Sequence, residues 1–373
     1  MFRKLYAVLL GWVVLIPGAA LAQQYTLVDL GSLSPTGINS WTQVVGNDNH
    51  LAFMWSFGHS RRLGTLAGGT FSWAAAINDF GVVTGTADGR GQIVSRSGGS
   101  TIECNDLIQP FIWTEQTQMR GLGTVGPASD IGGTGCSYPF YGAAINNRGQ
   151  VVGYTGFLPD DYQWVFLWTN GSMSIFGSSF SNTYGNGIST SGEIVGENGP
   201  EGYATYWKDG VATELGGLPG LSEFGGSAAN GVNDLGRIVG WSALYDESAA
   251  TSYIHAVTWT PSGAISDLGT LSGDTDSSAS KINLFGLVIG SSGNTVTDST
   301  VIGGQTSVGP LEVIGRPFIW SEATGMLDLN KLIRPHSGWV LNTATDINLW
   351  GQIVGEGTRN GESRGFLLTP TFF

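Results

Sequence analysis

Ile145-Asn146-Asn147-Arg148-Gly149-Gln150-Val151-Val152-Gly153 decides the fold of this chain, because the phrase returns along it. Its relatives run from Ile38-Asn39 to Gly46, Ile77-Asn78 to Gly85, Ile188-Ser189 to Gly196, Val232-Asn233 to Gly240, Ile282-Asn283 to Gly290 and Ile347-Asn348 to Gly355. Asn39 and Asn348 lie six steps apart at about 50 residues per step, the length of a four-stranded propeller blade. Within the phrase the asparagine side chain can close a turn on its own backbone, and a glycine three residues on tolerates the left-handed conformation of a tight hairpin.

Each repeat reads as four short apolar segments divided by turn residues. Segment A leads into Ile-Asn, as in Ser72-Trp73-Ala74-Ala75-Ala76-Ile77, and segment B is Val151-Val152-Gly153 and its equivalents. Segment C ends in tryptophan in six repeats, as in Phe53-Met54-Trp55, Phe166-Leu167-Trp168 and Phe318-Ile319-Trp320. Segment D carries Leu-Gly, as in Leu63-Gly64-Thr65-Leu66 and Leu268-Gly269-Thr270-Leu271. The seventh repeat stops after C, whereas Tyr25-Thr26-Leu27-Val28-Asp29-Leu30-Gly31 is a D segment with no C before it. The expectation is an all-β fold, a seven-bladed β-propeller over 23–373 whose last blade is completed by the N-terminal strand, which leaves no unpaired blade end.

Residues 1–22 carry Arg3 and Lys4, an apolar run from Leu5 to Ile16 and the small-residue site Ala20-Leu21-Ala22. That is the pattern of a secretory signal peptide and predicts export to the periplasm or the extracellular space. Charge supports a non-nucleic-acid role: the net value is -13, and phosphate binding wants clustered Lys and Arg. Charged residues make up only 12% of the chain, whereas glycine occurs 59 times, as a turn-rich β protein requires. The two cysteines, Cys104 and Cys136, predict one disulfide in an exported chain.

In a four-stranded meander, A-to-B and C-to-D turns share one rim, and B-to-C and D-to-A loops share the other. The first rim carries only short turns. All length variation falls on the second, in excursions such as Thr86 to Gln109 and Ser291 to Arg316. Binding loops gather where a rigid scaffold tolerates variation, so the variable rim is the expected ligand face. Trp164, Tyr162, Tyr245 and Trp339, with Asp160, Asp161 and Asp246, are its candidate ligand-binding residues, since aromatic faces beside carboxylates suit glycan or peptide. Asp160-Asp161 and Asp274-x-Asp276 offer oxygen ligands for a structural calcium, but neither completes a calcium-loop pattern, and no cofactor is expected. The Asn and Gly of the repeat read as turn hardware without further function.

No His-Glu-x-x-His, Gly-x-Ser-x-Gly or phosphate-cradling Gly-x-x-x-x-Gly-Lys occurs. The expected activity is therefore that of a monomeric, non-enzymatic binding or interaction module. The alternative is a hydrolase or lyase acting on polysaccharide through rim carboxylates such as Asp160, Glu201 or Asp246.

The assembled unit, Ile-Asn-x-x-Gly-x-Val-Val-Gly, a His-Ala-Phe-x-Trp type strand, then Leu-Gly-Thr-Leu, resembles the HAF-repeat family of extracellular bacterial proteins. The naming triplet survives best as His255-Ala256-Val257-Thr258-Trp259 and in part as Leu51-Ala52-Phe53-Met54-Trp55. The resemblance implies export and a β-repeat architecture and brings no catalytic residues with it.

Overall fold

A computed structural model describes residues 25–95, 101–126, 139–156, 163–177, 183–199, 202–219, 226–246, 251–296, 299–302, 305–308 and 312–371. The signal-peptide segment 1–22 and Cys136 lie outside them. The chain is an all-β propeller of four-stranded antiparallel blades. Seven sheets have four strands, one for each repeat. In the seventh, strand Tyr25–Asp29 pairs antiparallel with Glu362–Pro370, from Tyr25 opposite Pro370 to Asp29 opposite Phe366.

A count of seven sheets needs correction: besides a two-stranded ribbon of Ser299–Ile302 and Gln305–Val308, an eighth sheet stands beside the second repeat. It has three strands: Gly91–Ser95 and Thr101–Cys104 from the long B-to-C excursion, and Thr124–Gly126, which runs parallel to the first. The excursion is long enough to bury a small core of its own, made of Ile93, Cys104 and Leu107. Gln109 ties it to the blade: its amide donates to the Arg90 carbonyl and accepts from the Gly123 N–H. The excursion from Ser291 to Arg316 is an antiparallel arm, formed as Val288–Val296 and Glu312–Ser321 continue past the blade.

The repeat phrase explains itself in the pairing. Every A strand bulges where it meets B, as between Ala74 and Ala76, Gly142 and Ala144, or Ala229 and Gly231. The bulge pushes a carbonyl against the last glycine of the phrase. A Cβ on Gly153 would lie 1.9 Å from the Tyr141 carbonyl oxygen, and one on Gly85 would lie 1.9 Å from that of Trp73. Only glycine closes Val-Val-Gly there. In the fifth repeat Leu268-Gly269 belongs to strand D, Ile265–Gly269, but in the first and fourth D is only His59–Arg62 and Val211–Glu214, and Leu63 and Leu215 follow it as buried residues.

The asparagines do more than close their own turns. Asn78 Oδ1 accepts from the N–H groups of Phe80 and Val82, as the turn requires. Its Nδ2 reaches the next repeat and donates to the Asn146 carbonyl at 2.9 Å. The same link runs from Asn39 to Asn78, Asn146 to Ser189, Asn233 to Asn283, Asn283 to Asn348 and Asn348 back to Asn39. Between Ser189 and Asn233, where a serine replaces asparagine, the Thr190 N–H donates to Asp234 instead.

Between the sheets lie apolar layers. Phe111 and Trp113 of the second repeat pack with Val45 and Met54 of the first; Leu367 and Val354 of the seventh pack with Ile38 and Phe53 of the first. The phenylalanine of segment C, as in Phe53, Phe166, Phe318 and Phe366, is fully buried. Burying each such side chain contributes roughly 1.5–3 kcal/mol.

Candidate functional site

On the short-turn rim the second residue after each repeat asparagine stands clear of the sheet. It is Trp41, Phe80, Arg148, Ser191, Leu235, Phe285 and Trp350 in the seven repeats. Trp41 is 69% exposed, Phe80 77%, Leu235 76%, Phe285 71% and Trp350 57%. Repeats five, six, seven, one and two thus form an apolar arc, and repeats three and four interrupt it with Arg148 and Ser191. Single exposed apolar residues are ordinary, but a contiguous run marks an interaction face.

Two indoles in that arc are held in place. Trp350 Nε1 donates to the Ser40 carbonyl and Trp41 Nε1 to the Asp79 carbonyl, each at 2.9 Å and each across a joint between repeats. The rings are therefore fixed while their faces stay open. Trp41 and Trp350 enclose a cleft of about 330 Å³ with Ser40, Thr42, Gln352, Thr369 and Pro370. No ionisable side chain lines it. Its polar groups form a chain in which Thr42 Oγ1 donates to Gln352 Oε1 and Gln352 Nε2 to Thr369 Oγ1. Both hydroxyls keep lone pairs for a ligand.

Thr42 occupies the turn position that is glycine in the other six repeats. Those glycines have positive φ, as with Gly81 at 74° and Gly351 at 75°, and Thr42 adopts 61°. A β-branched residue in that region is strained, and such strain clusters at functional sites.

Across Trp41 a second cleft of about 460 Å³ opens towards Phe80 and Phe57. It holds Asp79 and the Arg61–Glu115 ion pair, with the Arg61 guanidinium 4.8 Å from the centre of the Trp113 ring.

The variable rim differs from its expectation. Asp160, Asp161 and Tyr162 lie outside the described residues, as does Glu201, and nothing is described of the Asp246 side chain. Tyr245 is exposed at 37%. The two tryptophans are not open platforms: Trp164 packs against the cluster of Phe140, Ile145, Val151 and Phe166, and Trp339 meets Phe366 edge to face at 6.4 Å. Both are drawn in because a large ring near a strand end gains more from the inter-sheet layer than from water. Asp274 and Asp276 do not form a calcium site. Asp274 pairs with Arg316 at 2.9 Å, and Asp276 accepts from the Ile254 N–H. Among the described residues no group of three or more His, Cys, Asp or Glu could hold a metal ion. Cys104 is buried in the small eighth sheet, and its pairing with Cys136 lies outside the described residues.

The same rim does hold one aromatic group beside a carboxyl. Tyr141 and Tyr154 face each other across strands A and B of the third repeat, with ring centres 5.3 Å apart. Tyr154 then meets Tyr184 of the fourth repeat edge to face at 5.2 Å, and Tyr184 pairs across its sheet with Glu197. Burial pushes the Glu197 carboxyl up to about 6.

Sequence reading looked for aromatic faces on the variable rim and passed over these on the short-turn rim. The available signal was an apolar residue inside an Asn-x-x-Gly turn, where a polar one is the rule. That signal is plain in Trp41, Phe80, Phe285 and Trp350.

No family model and no curated protein matches this chain. Among solved structures it is similar to a gluconolactonase from Xanthomonas campestris, with 12% identity, a TM-score of 0.43, and coverage of 95% of this chain and 94% of that one. A likeness at that level assigns no activity. Among the described residues no helix is long and apolar enough to cross a membrane.

Proposed function

We propose that the chain is an exported, non-enzymatic binding module for a neutral glycan, held on the short-turn rim in the cleft between Trp41 and Trp350. In this reading the seven four-stranded sheets are the blades of one ring, and the three-stranded sheet is an appendage of the second blade. The observation that carries the proposal is the cleft itself, with two fixed indole faces and no charged group in its lining. Sugar rings present C–H faces to stack on aromatics and hydroxyls to bond with Thr42, Ser40 and Gln352. Fixing the indoles beforehand lowers the entropy lost on binding. The strained Thr42 fits the same purpose, because glycine would relieve the turn and remove a hydroxyl from the cleft.

The test is a screen of the mature protein against neutral polysaccharides, with Trp41→Ala and Trp350→Ala as separate variants. Each should weaken binding by about tenfold or more, equivalent to about 1.4 kcal/mol. Both side chains are mostly exposed, so thermal stability should change little. Binding that survives both changes would remove the site from this rim.

A further inference from the structure

Glu197 is the least expected group on the opposite rim. It is largely buried, yet among the described residues no hydrogen bond or ion pair satisfies its carboxyl. Burying a carboxylate without a partner is costly, so such a group either keeps its proton or awaits a cation. Asp328, by contrast, has Arg316, and Glu193 has Lys208 and Tyr206.

The surroundings are built for a cation. Tyr184 sits opposite Glu197 on the neighbouring strand, where cross-strand side chains stand about 5 Å apart. Tyr154 meets Tyr184 at 5.2 Å, and Tyr141 meets Tyr154 at 5.3 Å, so three phenol rings lead away from the carboxyl. The Tyr184 hydroxyl donates to Gln163 Oε1. Gly202 covers the carboxyl with no side chain: a Cβ there would lie 2.5 Å from Glu197 Oε1. A carboxylate beside aromatic rings is the chemistry that takes an ammonium group.

We propose that Glu197, with Tyr184 and Tyr154, binds a primary ammonium group on the variable rim. One Glu197 oxygen accepts from the ammonium and a phenol face covers its apolar stem. A lysine side chain and an amino sugar both present this group. Among the described residues the titratable groups facing Glu197 are Tyr184 and, beyond it, Tyr154; burial raises both hydroxyls above their usual value, so they stay neutral. This site lies on the opposite rim from the glycan cleft and does not depend on it.

The experiment titrates the mature protein with n-butylammonium, Nα-acetyl-lysine amide and glucosamine, followed by tyrosine fluorescence or calorimetry at pH 7.5. N-butylacetamide serves as the uncharged comparison. Saturable binding of the ammonium probes is expected, with none for N-butylacetamide. Glu197→Gln should weaken ammonium binding about tenfold or more, Tyr154→Ala should weaken it to a smaller extent, and Trp41→Ala should leave it unchanged. The tighter of the lysine and glucosamine arms names the source of the group. Failure of all three ammonium probes to bind, equal binding of N-butylacetamide, or full binding by a folded Glu197→Gln variant would overturn the proposal. Loss of glycan binding in Trp41→Ala with ammonium binding retained separates the two sites.

Discussion

Single residues in this chain reveal their roles by what they lack. Among the described residues the Glu197 carboxyl has no partner, and the consequence for stability has a definite sign. Its folded-state value of about 6 lies above its ordinary 4.5, so the folded protein holds a proton that the unfolded chain gives up between those values. The favourable contribution is complete below pH 4.5 and is lost as pH rises through 6. The shift corresponds to about 2 kcal/mol. Glu197→Gln should therefore raise the urea midpoint at pH 8 relative to the parent and change it little at pH 4. An equal effect at both values would show that the carboxyl is already paired when ionised. Thr42 shows the converse, a side chain kept where glycine would be easier. Thr42→Gly should gain about 1 kcal/mol of stability by relieving the positive φ. If the hydroxyl serves a ligand, the same change should weaken glycan binding, and a variant both more stable and equally active would leave the strain without a function.

At the scale of one strand pair, the repeat phrase is a device for a bulged A strand meeting a straight B strand. Gly153 has the Tyr141 carbonyl on one side and the Phe166 ring on the other, with a Cβ falling 1.9 Å and 2.8 Å from them. Neither can retreat, since one is ladder backbone and the other is buried between sheets. Gly153→Ala should cost about 3 kcal/mol, read as a lower denaturant midpoint with an unchanged slope. Alanine tolerated there within about 0.5 kcal/mol would mean that the bulge is not fixed. Most of this layer was legible beforehand. Asn146 and Gly149 announce a turn, Phe166 and Trp168 announce a packed strand, and the D-type segment at Tyr25 announces its partner. What could not be read were features that depend on neighbouring sheets. The carboxamide of Asn78 has the same sequence context whether it stops at its own turn or reaches Asn146. Trp164 and Trp41 are both tryptophans near strand ends, and only packing sends one inward and leaves the other out. The second repeat's long loop gave its length but not its parallel pairing with Thr124–Gly126.

Across the whole molecule, the first strand in the described chain lies beside the last, and this pairing bears on the stability of every sheet. Strand Tyr25–Asp29 supplies the fourth strand of the seventh sheet, and Tyr25 and Leu30 are buried in separate inter-sheet layers. Their burial contributes roughly 1.5–3 kcal/mol each, before the backbone ladder to Phe366–Pro370 is considered. That sum approaches the 5–15 kcal/mol by which ordinary domains are stable at all. Removal of residues 25–31 should therefore do more than fray one edge. It strips the partner from Glu362–Pro370, exposes that strand's unpaired N–H and C=O groups, and opens the layer shared with Ile38 and Phe53. The truncated protein should unfold or associate under conditions where the parent is folded and dispersed, as read by light scattering and thermal melting. A synthetic peptide of residues 25–32 added in excess should restore the cooperative melt, because the vacant edge is a template of defined register, Tyr25 to Pro370 and Asp29 to Phe366. A truncated chain that melts at the parental temperature would show that the joint adds little and that the sheets hold together as an open array. If the peptide restores folding but a register-scrambled peptide of equal composition does not, the joint is specific.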